Sequence, residues 1–319
     1  MATAGNFTID SVTTSDGRYA GRSFGGDCVY AAVGARVWGA AVRVISVVGS
    51  DYPPEWLRLL DSNGIRTDLV RRIEAPHGLI APMRYDDEGR RENERSSAES
   101  TPDIPIRPSE TWRTFSPTAR DARPSLHEVD CMHLAPMPVE SQNELLALAA
   151  GQVPLITLDI PWFPGRTRRG DLPEVGFASA VLLSEAEIVG HYPGSSAEDA
   201  AADLMRRGVG IVAVKQGGRG SVVFSHDRPE GVRLPVFQTK VVDPTGAGDA
   251  YCGGFGVGLS QRGDPISAGL YGTVAASFVI EGFGADYALR YGAPQALRRL
   301  DLLRSRIEVS QTSTSPGPS

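Results

Sequence analysis

The sequence predicts an α/β fold, a mostly parallel sheet with helices on both faces. Three observations carry that prediction. Apolar runs of strand length alternate with amphipathic segments of helical length. The helical segments stop at glycines, which accept the left-handed backbone that ends a helix. At 319 residues with 41% hydrophobic content, the chain can bury one large core or two moderate ones.

Taken in order, Asp27 to Trp38 reads as a helix closed by Gly39, and Val42 to Val48 as a buried strand. Pro54 to Asn63 is a second helix closed by Gly64, and Val139 to Ala150 a third closed by Gly151. Val153 to Asp159, Ala180 to Leu183 and Gly210 to Lys215 are further strands. Ser196 to Arg207 is a helix with a serine N-cap, followed by Gly208. Two stretches break the alternation, Ser15 to Phe24 and Arg71 to Ser97, and read as polar surface hairpins. Thr101 to Pro124 carries five prolines and reads as an irregular connection, and Ser310 to Ser319 as a disordered Ser/Thr/Pro tail. There is no internal repeat.

Composition excludes several function classes. A formal charge of −6 gives no broad footprint for nucleic acid or a membrane surface. Cys28, Cys131 and Cys252 lie scattered in apolar segments, without the spacing of a zinc site or a disulfide framework. The start Met1 to Gly5 lacks a basic stretch followed by an apolar one, so a cytoplasmic location is expected. The five histidines show no metal-ligand spacing; His133 reads as a strand-end residue, with lining of a cleft as the alternative.

The segment Asp243-Pro244-Thr245-Gly246-Ala247-Gly248-Asp249-Ala250 stands apart. It follows the apolar run Thr239 to Val242, read as a strand, and opens a helix-like stretch from Tyr251 to Leu259. Amides at a helix start lack intrahelical partners and point, with the positive end of the dipole, at whatever precedes them. Such a turn binds anions, and an Asp in its first helical turn can accept a proton from an attacking hydroxyl. The same turn can equally serve packing, with the Asp complementing the dipole. No P-loop and no dinucleotide-binding glycine pattern occurs elsewhere.

That octapeptide resembles the second signature of the ribokinase-like, or pfkB, carbohydrate kinase family, with Pro244 as a small departure. The first signature is recognisable in Phe24-Gly25-Gly26 through Ala31-Ala32, Gly39 and Val47 to Asp51. The resemblance runs from about Gly5 to about Gly284. It implies a three-layer αβα sandwich with a small β-sheet lid, built from about residues 15–24 and 71–97 of a single kinase domain spanning 1–309, with 310–319 as tail. It implies an ATP- and Mg2+-dependent kinase phosphorylating a hydroxymethyl group of a sugar, polyol or nucleoside. The lid would exclude water, and a homodimer through it would be possible.

The resemblance also assigns residues. Asp249 becomes the base, and the Gly246, Ala247 and Gly248 amides the anion hole. Lys215-Gln216-Gly217-Gly218-Arg219-Gly220, locally a hairpin turn, becomes a nucleotide contact through Gly217 and Gly220, with Lys215 or Arg219 pairing a phosphate. Ser184-Glu185-Ala186-Glu187 stands where the family has N-x-x-E, so Ser184 replaces Asn and Glu187 would reach Mg2+ through water. Asp10, at the end of an expected first strand, with Gly25 and Gly26, would hold the acceptor. Tyr30 stands where the family commonly has a sugar-contacting Asn; its ring offers stacking area and one hydroxyl in place of an amide, so the acceptor is expected to be gripped differently than in ribokinase proper, and the wording of Gly25-Gly26, Tyr30-Ala31-Ala32, Gly34-Ala35-Arg36 and Gly49 to Pro54 is similar to a side branch of the family. Asp159-Ile160-Pro161 departs from the family's Asp-x-Asn at Pro161, and Asp243 and Thr245 fit a K+ site beside the anion turn. The alternative is a catalytically weak protein of the same fold that senses a sugar or nucleotide.

Overall fold

The computed structural model describes residues 1–14, 16–85, 108–162 and 170–313. In chain order the elements are β1 (Ala2–Ala4), β2 (Thr8–Thr13), β3 (Tyr19–Gly25), α1 (Asp27–Arg36), β4 (Val42–Val48), α2 (Pro54–Ser62), β5 (Ile65–Arg72) and β6 (Ile80–Arg84). Then come α3 (Pro108–Thr114), α4 (Ala119–Ala122), β7 (Cys131–Leu134), α5 (Val139–Ala149), β8 (Leu155–Leu158), β9 (Ala180–Ser184), α6 (Glu185–His191) and α7 (Ala197–Arg206). The chain ends with β10 (Ile211–Lys215), β11 (Ser221–Ser225), β12 (Arg228–Leu234), α8 (Ala247–Arg262), α9 (Pro265–Val279) and α10 (Ala293–Ser313).

Among the described residues the main sheet has nine strands in the order β12-β11-β10-β9-β8-β7-β1-β4-β5. Every pair from β10 to β5 is parallel, and β11 and β12 extend the sheet antiparallel. The strands are buried on both faces, which is why they read as continuous apolar runs. Ala180 and Leu182 of β9 join one core with α1, α8, α9 and α10, whereas Val181 and Leu183 join the other with α5 and α7. The alternating side chains of a single strand thus serve two layers. The direction of chain progress reverses between β1 and β7, a switch point whose carboxyl-end crevice is where open α/β sheets bind ligands.

A separate three-stranded sheet, ordered β3-β2-β6, meets α1 and the turn before α8 through Asp10 with the Tyr30 hydroxyl and Tyr85 with Thr245. It corrects three expectations. The lid begins at Thr8, and Asp10 therefore sits inside a lid strand; the first core strand is the short β1, which ends before Gly5. Arg71 and Arg72 belong to β5 of the main sheet, paired with Val47 and Val48, so the second lid segment starts only at Ile80. Residues 86–97, the remainder of that predicted lid segment, lie outside the described residues.

Further differences have local causes. Thr239 to Val242 is not a strand, because the Val242 and Asp243 amides donate to the Ile280 carbonyl after α9, at 2.7 and 3.2 Å, in place of a strand neighbour. The Pro-rich connection contains α3 and α4; Thr118 and Asp121 form a reciprocal capping box on the latter. α10 runs to Ser313, into the stretch read as a tail, and residues 314–319 lie outside the described residues. No helix among the described residues is long and apolar enough to cross a membrane. All three cysteine thiols are free and buried.

Candidate active site

The site exists because α1 and α8 cross at backbone contact. A Cβ at Gly34 would lie 2.2 Å from the Ala250 carbonyl, and one at Gly253 would lie 1.8 Å from that of Ala31. Glycine at those crossings costs about 1 kcal/mol each in helix propensity, and in return the two helix starts lie side by side. Residues far apart in sequence, Gly25-Gly26-Asp27 and Gly246 to Asp249, therefore open onto one place.

At the start of α8, Gly246 is the N-cap in the left-handed region, with φ 74°. Its α-carbon rests on the ring of Tyr30, where a Cβ would come within 2.0 Å of the ring. The Ala247 amide donates to the Pro244 carbonyl at 3.2 Å, which closes the turn. This corrects the expected three-amide anion hole. The Gly246 and Gly248 amides take no backbone partner among the described residues, so these two, with the helix dipole, are the candidate anion donors. Asp249 lies in the first helical turn, half-buried, and its carboxyl pKa is held well above the ordinary value by burial and then by Asp27, against the opposing charge of Lys215.

Opposite this turn, the carboxyl ends of β8, β9 and β10 bring Asp159, Ser184 and Lys215 together. Lys215 Nζ donates to Asp159 Oδ2 at 2.5 Å and to Cys252 Sγ at 3.4 Å. The ammonium also flanks α8: a Cβ at Gly248 would lie 3.7 Å from it. Burial opposes the Lys215 charge, but Asp159, Cys252, Glu187 and Asp249 together hold its pKa well above the ordinary lysine value. Ser184 caps α6, accepting from the Glu187 amide at 3.4 Å, while Glu187 accepts from the Ser184 amide. The serine therefore keeps this turn ordered without the family's asparagine. Burial, with Asp159 nearby, pushes the Glu187 carboxyl up to about 7.

The hairpin after β10 is as predicted, but its residues separate. Gly220, at φ 91°, faces the Leu234 carbonyl, where a Cβ would come within 2.0 Å, so its glycine serves hairpin closure. Gly217 faces open space. Arg219 is paired with Glu185, which also accepts from Gln216 at 3.0 Å, so of the two candidate phosphate cations only Lys215 flanks α8.

On the lid side, Asp10 is 2% exposed. Its carboxylate accepts from Thr8 Oγ1 at 2.5 Å and from the Tyr30 hydroxyl at 3.5 Å. It lies against Gly25, where a Cβ would sit 1.8 Å from Oδ2. Gly25 thus makes room for the carboxylate, and Gly26, at φ 111°, turns the chain against the Asn6 carbonyl into α1. Tyr30 is buried with its ring beneath Gly246, which corrects the expectation of a stacking face for the acceptor; only its hydroxyl reaches the Asp10 side. That phenol is raised well above its ordinary pKa by burial and then by Asp10, Asp243, Tyr85 and Asp249, which shows how closely these groups converge.

Asp243 Oδ1 accepts from the Thr245 amide at 2.9 Å, and the Thr245 hydroxyl lies 2.9 Å from that of Tyr85. Tyr85 had no sequence signal, since only the docking of the lid brings it to the turn. The Asp159–Lys215 pair was equally hidden, although both residues stood at predicted strand ends. His133 is fully buried, bonded to Thr157 Oγ1 at 3.0 Å, and burial pushes its pKa down to about 3, so it is a neutral core residue. Among the described residues no group of three His, Cys, Asp or Glu side chains is placed to hold a metal directly. An Mg2+ ion would thus be held through its water shell, with the Glu187 carboxylate as the protein oxygen that suits it. The hollows around Gly151 to Pro154 and around Met1 to Arg43 open at the opposite ends of the strands.

Comparison with known proteins agrees with this fold. Residues 171–290 match the pfkB family carbohydrate kinase profile. A cytidine kinase of Thermococcus kodakarensis is 28% identical over 278 residues, covering 83% of this chain and 90% of that protein. A ribokinase of Lactococcus lactis is 30% identical over 39% of each chain. Among solved structures, the Burkholderia thailandensis nucleoside kinase in complex with inosine superposes with a TM-score of 0.70 at 17% identity, covering 95% of this chain and 98% of that one. The Thermotoga maritima ribokinase gives 0.68 at 22% identity, covering 94% and 98%. With both signatures folded onto one crevice of a ribokinase-type sandwich, the chain carries a pfkB family carbohydrate kinase match over residues 171–290, is similar over most of its length to a cytidine kinase, and is a phosphotransferase with an alcohol group as acceptor.

Proposed function

We propose that the protein transfers the γ-phosphoryl group of ATP to a hydroxymethyl group of a sugar, polyol or nucleoside, with Asp249 as the base. The observation that carries this reading is the start of α8: a left-handed Gly246, two amides without a backbone partner, and a half-buried carboxylate in the first turn of the helix. ATP with Mg2+ would supply the phosphoryl group and neutralise its charge. Gly246, Gly248 and Lys215 orient the phosphate end, and Glu187, with Ser184 holding its turn, reaches the Mg2+ through water. Ala247 sets the turn, Gly217 lies along the nucleotide, and Gly220 shapes that hairpin. Asp10, backed by Gly25 and Gly26 and oriented by the Tyr30 hydroxyl, accepts hydrogen bonds from the acceptor's hydroxyls. The raised Asp249 pKa suits a group that takes a proton from the attacking hydroxyl.

Asp243 and Thr245 are proposed as the side of the turn that a K+ ion would steady; residues 1–309 act as one kinase domain. The similarity to a cytidine kinase, and the likeness in fold to a nucleoside kinase solved with inosine, support trying nucleosides first as acceptors. The test is phosphate transfer from ATP with Mg2+, with and without K+, to cytidine, inosine, ribose, fructose and inositol. Product formation on one of these, lost in Asp249→Ala, is expected; saturable ATP binding without transfer to any of them would favour the sensor reading. Pairing of two copies along the lid would appear as a doubled mass in light scattering.

A further inference from the structure

β8 and β10 flank β9, so the Asp159 and Lys215 side chains meet across the end of the strand between them. Both are nearly sealed, at 2% and 11% side-chain exposure. A buried ion pair rarely gains net stability, because desolvation offsets the attraction. This one is also incomplete: Asp159 Oδ1 has no hydrogen-bond partner, an added cost for a buried acceptor. The pair further sets an ammonium beside Gly248 at the positive end of the α8 dipole, where a cation is disfavoured unless an anion stands near it. Packing alone explains none of these features.

We propose that Asp159 is a positioning residue: through its ion pair it holds the Lys215 ammonium against the first turn of α8, as a preset counter-charge for the terminal phosphate of the nucleotide. The inference rests on the reading that Lys215 meets that phosphate. Asp159 itself touches neither nucleotide nor acceptor. Its counter-charge lets a lysine stay protonated in this place before any phosphate arrives, and its location fixes which way the ammonium faces.

The experiment measures equilibrium binding of two probes to the purified full chain with Mg2+, the non-hydrolysable imido analogue of ATP and ADP, and takes the ratio of their affinities. That ratio reads recognition of the terminal phosphate and is independent of turnover. Lys215→Met is expected to lower it about tenfold or more, as for loss of a charged hydrogen bond. Asp159→Asn is expected to lower it severalfold, and to lower it no further in the Lys215→Met background. An unchanged ratio in Asp159→Asn, or a loss that multiplies with that of Lys215→Met, overturns the positioning role and leaves Lys215 as a phosphate contact. An unchanged ratio in Lys215→Met defeats the Lys215 reading and the inference with it. The double variant leaves no unpaired buried charge; should Asp159→Asn alone lack a cooperative melt, Asp159→Glu replaces it, with a lowered ratio expected and an unchanged one overturning the proposal.

Discussion

The hydroxyl of Tyr85, just after β6, lies 2.9 Å from Thr245 Oγ1, in the turn that leads into α8. One bond thus ties the segment after β6 to the turn proposed to face the phosphate. Since β6 pairs with β2, which carries Asp10, the proposed acceptor side and the proposed phosphate side of the crevice are mechanically joined. Exclusion of water from the transfer needs such a link between lid and turn.

Tyr85→Phe removes that bond and little else. A single neutral hydrogen bond contributes about 0.5–1.5 kcal/mol, which corresponds to a KM for the acceptor raised several-fold. Steady-state kinetics with an accepted acceptor will check this; a KM change confined to ATP would contradict the link.

Gly246→Ala meets two obstacles at once, the left-handed backbone and the Tyr30 ring. The backbone term alone costs about 1–3 kcal/mol, and the ring contact adds to it. The variant should melt earlier and bind ATP weakly. Adding Tyr30→Ala should return part of the ATP affinity by clearing space beneath the turn; a further fall would contradict the packing described here.

Asp249→Asn should lower kcat by about a factor of 100 to 10,000, the usual contribution of a positioned acid or base. Stability should not fall. Because the folded-state pKa is raised, the carboxyl's contribution is full below the ordinary value of 3.8 and is lost as pH rises through the folded value. At pH 8 the neutral amide therefore melts no lower than the wild type, which calorimetry at pH 5 and pH 8 will show.

Glu187 gives the pH dependence its sign. Its carboxyl is raised from 4.5 to about 7, so the anionic form that would serve Mg2+ is gained as pH rises through 7. Mg2+-dependent activity should climb across that range, while the stability Glu187 contributes is lost between 4.5 and about 7. Glu187→Gln keeps the capping box of α6, flattens the activity profile at a low level, and melts higher than wild type at pH 8.

Much of the fold was legible because local signals agreed. β4 was predicted at its observed bounds, and the strands ending at Leu158, Ser184 and Lys215 were seen as apolar runs buried on both faces. Helix ends at Gly39, Gly64, Gly151 and Gly208 were readable because each of these glycines adopts positive φ. What misled was segments whose partners are remote. The apolar run before Asp243 has strand composition, but it pairs with the end of α9. Asp10 sat in a motif beside the first strand, yet only the pairing of β2 with β3 and β6 shows that it belongs to the lid.

By itself the sequence determined the turn chemistry: glycines where the backbone must go left-handed, an Asp in the first turn of the helix that follows, and a serine–glutamate cap at α6. These are local because dihedral limits and helix-end hydrogen bonds act over a few residues. The tertiary structure alone decided that Tyr30 lies under Gly246, that Tyr85 reaches Thr245, and that Asp159 holds Lys215 beside α8. Those contacts join residues 56 to 216 positions apart, by the numbering, and they follow from strand order and from two glycine-lined helices in backbone contact, neither of which a linear pattern encodes.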